Sequence, residues 1–364
     1  MLLQKQLMLF TKLKMIKMKQ FKKNFAILFF ITFFSYSQDF SSAVDYLNYI
    51  NKIEEPISKD MWKYTKTVAH SKSARRIDNV RKNLIKTIQT AKNNLKKNTK
   101  GFNNDLEFHN KVIDYLTFSE LMINEEYAKI IDMQEVAEQS YDFMEAYITT
   151  RELVNDKMNE EHEKLLASQS DFAKKYNVNL ISSDEGTDIE KKMRLSSQVF
   201  KYHSNLYLLF FKCNYTDILL DNAIKSKDLA AIQQNANALK QYAEEGIAKI
   251  KEYEPIKGDN TLANQTKKSL EMYLNQANTF VPKVVDFYTY NSQFEDLSSA
   301  LERKSPKERT KEEIDNYNKM VKEINKKINE FNKLNTENVN LKNKEINQWN
   351  TTAEQYISKH VPND

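Results

Sequence analysis

IDNYNKMVKEINKKINEFNKLNTENVNLKNKEINQWNTTAEQY, residues 314–356, decides the fold. Its apolar side chains fall at Ile314, Tyr317, Val321, Ile324, Ile328, Phe331 and Leu334, and later at Ile346, Trp349, Ala353 and Tyr356. Steps of three and four are the period of an α-helix, whereas a half-buried strand alternates at every second residue. The same period runs through Ile77, Val80, Leu84, Ile88, Ala91 and Leu95, and through Leu106, Val112, Leu116, Ile123, Tyr127 and Ile130. No sustained two-residue alternation and no Asn-Gly hairpin signal interrupts it. The expected fold is all-α: an elongated multi-helix bundle of about eight long helices.

Chemical punctuation divides the pattern into helices near 40–69, 73–98, 103–131, 134–176, 189–225, 228–253, 261–302 and 306–358. Ser71 or Ser73 is positioned to cap the second. Ser305-Pro306-Lys307-Glu308 reads as a capping box with Pro at the first helical position, and Thr310 with Glu313 offers a second box one turn later. Pro56 and Pro282 should kink or restart the helices that contain them. Residues 199–220 are apolar nearly all round, which marks a helix buried on every side and the expected centre of the core. Cys213 lies on it and reads as a packed small hydrophobe. Residues 177–188 are the least helical stretch and the expected boundary between two bundle halves, 38–180 and 188–364. Each half reads as four helices. Duplication of one unit and two independent bundles are the competing accounts.

The chain has 364 residues, with 55 Lys plus Arg against 50 Asp plus Glu. The formal charge of +5 invites a nucleic-acid reading. The first 37 residues dissolve it. Lys17, Lys19, Lys22 and Lys23 form a basic segment, residues 25–34 a ten-residue apolar run, and Ser35 and Ser37 supply the small side chains of a cleavage site. That is the order of a secretory signal peptide. Its apolar run makes only about 15 Å of helix, half of what a bilayer core requires. An uncleaved anchor is the alternative. Met18 stands where such a peptide starts, so residues 1–17 read as an over-extended start. Removing the seven lysines of residues 1–37 leaves 48 basic against 50 acidic groups, a net of −2. The expected mature protein is exported, periplasmic or extracellular, without an integral membrane span and without nucleic-acid affinity. No cysteine lies near the cut, so no lipobox anchor is expected.

Catalytic and metal constellations are missing from the spacing. The residues three before the five histidines are Thr67, Leu106, Asn159, Phe200 and Ile357, none of them acidic, so the Glu-x-x-His pairs of a di-iron bundle do not occur. One Cys excludes a disulfide framework and a Cys-based zinc site. Four isolated glycines build no phosphate-cradling loop. No metal and no cofactor is expected, and no enzymatic activity.

Two features stand above that background. Trp62, Tyr64, His70, Arg75 and Arg76 fall on two successive helices around one turn. Aromatic rings beside cations form a cation–π clamp suited to an anionic or carbohydrate ligand. In the competing account Trp62 and Tyr64 are core residues and His70 complements a helix C-terminus. The second feature is a stripe of Asn325, Asn329, Asn332, Thr336, Asn340, Asn343, Asn347 and Asn350 beside the apolar seam that carries Trp349. Asn is a poor helix former. Its recurrence reads either as hydrogen bonding to a neighbouring helix, as a polar groove for a sugar or peptide involving Asn332, Asn347 and Trp349, or as the codon bias of an AT-rich genome.

Tyr46, Tyr49-Ile50, Trp62, Tyr64 and Ala69-His70, with Tyr317-Asn318, Asn325, Asn332, Asn347, Trp349-Asn350 and His360-Val361-Pro362 at the other end, resemble a family of uncharacterised exported helical bacterial proteins, often labelled surface proteins. The resemblance spans essentially the whole mature chain. It implies export and a helical fold and supplies no activity; members with a lipobox Cys differ from this chain. Together these readings point to a non-enzymatic binding or structural protein of the cell envelope, with an envelope protein or glycan as partner, or self-association. The rival is a small-ligand receptor or enzyme with its site near Trp62, Tyr64, His70 and Arg75.

Overall fold

Helix starts are set by side chains that accept the backbone N–H groups left over in a first turn. In the computed structural model, which describes residues 40–71, 73–180 and 187–364, Ser42 accepts from the Asp45 amide and opens α1, Ala43–His70. Ser73, the second of the two serines proposed as caps, opens α2, Ala74–Lys97. The helices α3, Glu107–Leu121, and α4, Tyr127–Ala137, are joined without a break by a π-helical turn, Met122–Glu126. Ser140 caps α5, Tyr141–Lys175. The expected signal segment, residues 1–37, and residues 181–186 of the expected boundary loop lie outside the described residues.

The second set repeats the pattern. Thr187 and Glu190 form a capping box at the head of α6, Asp188–Ser226. Asp228 caps α7, Leu229–Lys249. Helix α8, Thr261–Asn275, continues through a second π-helical turn, Gln276–Phe280, into α9, Val281–Glu302. Of the two boxes near residue 305, the later one starts α10, Lys311–His360; Glu308 still accepts from the Ser305 amide in the turn before it. Ten α-helices thus form eight continuous rods, and the described residues contain no strand. Helix α1 continues without a restart across Pro56, which lies at an exposed position, whereas Pro282 sits at the restart of a helix after the π turn.

All described residues belong to one compact unit. Within it the apolar side chains make two principal cores. Tyr46, Leu84, Ile88, Leu95, Val112 and Leu116 centre one, among the helices before residue 180. Val199, Leu206, Cys213, Leu239, Leu270 and Tyr273 centre the other, among the later helices. Helix α6 packs against α1, α5, α7, α8 and α10, and none of its residues from 202 to 217 is exposed. It is the central helix, although Ile218 and Leu219, inside the stretch expected to be buried on every side, are 47% and 40% exposed. Cys213 is fully buried there, and burial pushes its thiol up to about 12. Gly246 lets α7 approach α8 closely: a Cβ at that position would stand 2.8 Å from Leu270 Cδ1. No helix of the described residues is long and apolar enough to cross a membrane.

Candidate functional site

The spacing of Lys59, Trp62, Lys63, Lys66 and Thr67 places them along one face of α1. Three residues separate the end of α1 from the start of α2, so the first turns of α2 fold back along that face and bring Arg76 and Val80 opposite. Ile189, at the head of α6, closes the third side. These eight residues line a cavity of about 400 Å³. Four of them are cations, and no carboxylate is among them. Of the acids nearby, Asp60 and Asp78 are committed elsewhere, whereas Glu55 is paired with Lys59 of the lining itself. Asp60 accepts the Thr87 hydroxyl at 2.7 Å, Asp78 pairs with Arg81 and Lys82, and Glu55 holds Lys59 in an exposed pair. Lys66 stands 5.9 Å over the Trp62 ring, within cation–π range. A concave surface bearing several cations around an aromatic wall attracts an anion, and its recess strengthens the attraction relative to open water.

The segment 361–364 meets this site along one edge. The Trp62 indole N–H donates to the main-chain oxygen of Asp364 at 3.1 Å, and Lys66 Nζ donates to that of Asn363 at 3.3 Å. His70 Nε2 lies 3.1 Å from the Val361 oxygen and so carries its proton there. The Asp364 carboxylate lies 3.4 Å from Lys192, and the nearby Lys192 and Lys66 ammonium groups help to hold it below the usual carboxylate range, after its own backbone amide. The next stretch inward is fixed by Asp259, which accepts from His360 at 2.8 Å and from Lys359 at 2.7 Å.

The residues singled out in the sequence are only partly brought together. Trp62, a core residue at 7% exposure as the competing account had it, and Arg76 both line the cavity. Arg75 is exposed beside it and does not line it, and His70 is occupied by the Val361 oxygen at its edge. Tyr64 turns away: two residues on from Trp62, it packs edge to face on Tyr127, 5.8 Å between centroids, against the other core. A clamp using Trp62 and Tyr64 together does not form. The alternative clamp is Trp62 with Lys66, a lysine that the sequence reading passed over, along with Lys59 and Lys63. Their i, i+4 and i+7 spacing was the available signal.

The asparagine stripe is corrected more thoroughly. Asn325, Asn329, Asn332, Asn340, Asn343, Asn347 and Asn350 are all exposed, and none of these side chains bonds a neighbouring helix. Trp349 is a core residue instead: it is 2% exposed, stacks on Phe210 at 4.5 Å and donates to Thr266 Oγ1 at 3.0 Å. Asn332, Asn347 and Trp349 therefore build no common groove. The polar groups used on α10 are others. Lys342 is buried between Asp217 and Asp221 of α6, at 2.9 and 2.6 Å, and buried Glu345 accepts from Lys268 and Gln265 of α8.

Among the described residues, no group of three or more His, Cys, Asp or Glu could hold a metal ion. Comparison with known proteins finds no matching family, no similar curated protein and no similar solved structure. Fold and site by themselves define an all-α bundle with a cation-lined pocket where its first two helices meet its central one.

Proposed function

We propose that this chain is an exported, non-enzymatic helical binding protein of the bacterial cell envelope, and that its pocket takes an anionic group carried by an envelope component. The observation that carries this reading is the lining: Lys59, Lys63, Lys66 and Arg76 around Trp62 with no acid among them. Export rests on the order of basic, apolar and small residues in the first 37 positions. A binding role is favoured over catalysis by what the cavity lacks. Its lining offers neither imidazole nor carboxylate as a general base, and its one hydroxyl, on Thr67, is donated to the Lys63 carbonyl at 2.7 Å.

The test is a thermal-shift panel on the chain beginning at Gln38. Tripolyphosphate and sulfated or carboxylated oligosaccharides should raise the melting temperature by a few degrees, and neutral oligosaccharides of equal length should not. Equal shifts from charged and neutral compounds, or none from any, would remove the reading. The double variant Lys63→Ala/Arg76→Ala serves as the control that localises the effect.

A further inference from the structure

We propose that residues 361–364 form a strap that competes with the ligand for the pocket, so that binding requires the strap to be displaced. The inference rests on the anionic-ligand reading and deepens it. Two ligand donors in the cavity wall, the Trp62 indole N–H and one N–H of the Lys66 ammonium, are engaged by main-chain oxygens of Asp364 and Asn363. The strap also brings a carboxylate, Asp364, into the field of Lys66 and Lys192. It therefore presents the pocket with what an anionic ligand would bring: acceptor oxygens on Trp62 and Lys66, and a negative charge beside them.

The strap is built to let go. Val361 is 1% exposed and its amide bonds the Ile357 oxygen, so the segment is anchored at its base. Beyond it Pro362 has no N–H to donate, and Asn363 and Asp364 are exposed and, among the described residues, held through their oxygens and the Lys192 pair. Releasing them bares the indole N–H of Trp62, a core residue at 7% exposure, to the pocket. Exposed ion pairs and single hydrogen bonds at a wet surface contribute little each, so a ligand that offers several oxyanion contacts displaces them readily.

Two tryptophans make the test direct, because an amide-type nitrogen spectrum shows two indole N–H signals, one from Trp62 and one from Trp349. Tripolyphosphate is titrated into the wild-type chain and into a variant lacking residues 362–364. In the wild type the Trp62 indole signal should move with saturation while that of Trp349, held by Thr266, stays. The shortened variant should bind the probe three- to tenfold more tightly, with its Trp62 signal already displaced before any probe is added. Probe binding that depends on Arg76 but is equally tight in both chains, with an unmoved Trp62 signal, would overturn the strap and leave the pocket reading standing. No binding in either chain would overturn the pocket reading, and the strap with it. A melting temperature unchanged by the deletion confirms that the comparison is between folded proteins.

Discussion

Glu54 and His203 are half-buried titratable side chains whose effects on stability oppose each other. Burial lifts the Glu54 carboxyl to about 7 and leaves its Oε1 without a hydrogen-bond partner. Burial, then the Arg151 charge, pulls His203 down to about 4. As pH rises from about 4.5 to 7, the unfolded Glu54 gives up its proton while the folded one keeps it, so that stability is lost with rising pH. As pH falls from about 6.5 to 4, the unfolded His203 takes a proton that the folded ring refuses, so that stability is lost with falling pH. Each effect is about 3 kcal/mol at its limit. The two windows overlap with opposite sign. Glu54→Gln should therefore unmask a protein that loses stability on acidification, and His203→Gln one that loses it on alkalinisation, as read by urea unfolding between pH 4.5 and 7.5. Identical pH profiles for both variants would contradict the assignment. A third titratable group, the buried Lys342, faces two carboxylates of α6; Lys342→Ala should cost about 3–5 kcal/mol in the same assay, because it strands Asp217 in the interior. Periodicity could not single out Lys342 or Glu345, since an apolar count treats a buried ion pair as surface. The acids that justify Lys342, Asp217 and Asp221, lie more than 120 residues away from it.

At the scale of elements, the rods follow from local chemistry. Spacing by three and four, with Ser73, Thr187 and Thr310 as acceptors, accounts for where helices begin and which face they bury. Two things were not legible. The choice between Ser305 and Thr310 depends on a Lys304–Glu313 pair across the turn, which no local pattern encodes. The π turns are absent from any propensity scale, because one extra residue in a helical turn is set by packing of neighbouring rods. Their placement is regular: each follows a fifteen-residue helix in the third rod of its set, Glu107–Leu121 and Thr261–Asn275. Duplication of a four-rod unit and two independent bundles both remain compatible with it. Rod contacts also set the strictest size limit. Gly246→Ala improves helix propensity by about 1 kcal/mol, yet its methyl meets fully buried Leu270. The variant should be destabilised by about 1–2 kcal/mol net, and an unchanged or raised melting temperature would show that α8 can retreat.

For the whole molecule, the informative place is where the opening helices, the head of the central helix and the segment 361–364 converge. Trp62 belongs to the core of the later helices while Tyr64 on the same helix serves the earlier one, so α1 ties the two together. A cavity at such a junction is a common position for a ligand. Half of this was legible: the sequence drew attention to Trp62 and Arg76 through their aromatic and cationic chemistry. The convergence of Lys59, Lys63 and Lys66 with Ile189 needed the fold. The central claim is that this convergence binds anions, and calorimetric titration of tripolyphosphate at two salt concentrations tests it most directly. The account predicts one site per chain, weakened by added salt and weakened tenfold or more in Lys63→Ala/Arg76→Ala. Absence of binding, or binding indifferent to both substitutions, would contradict it.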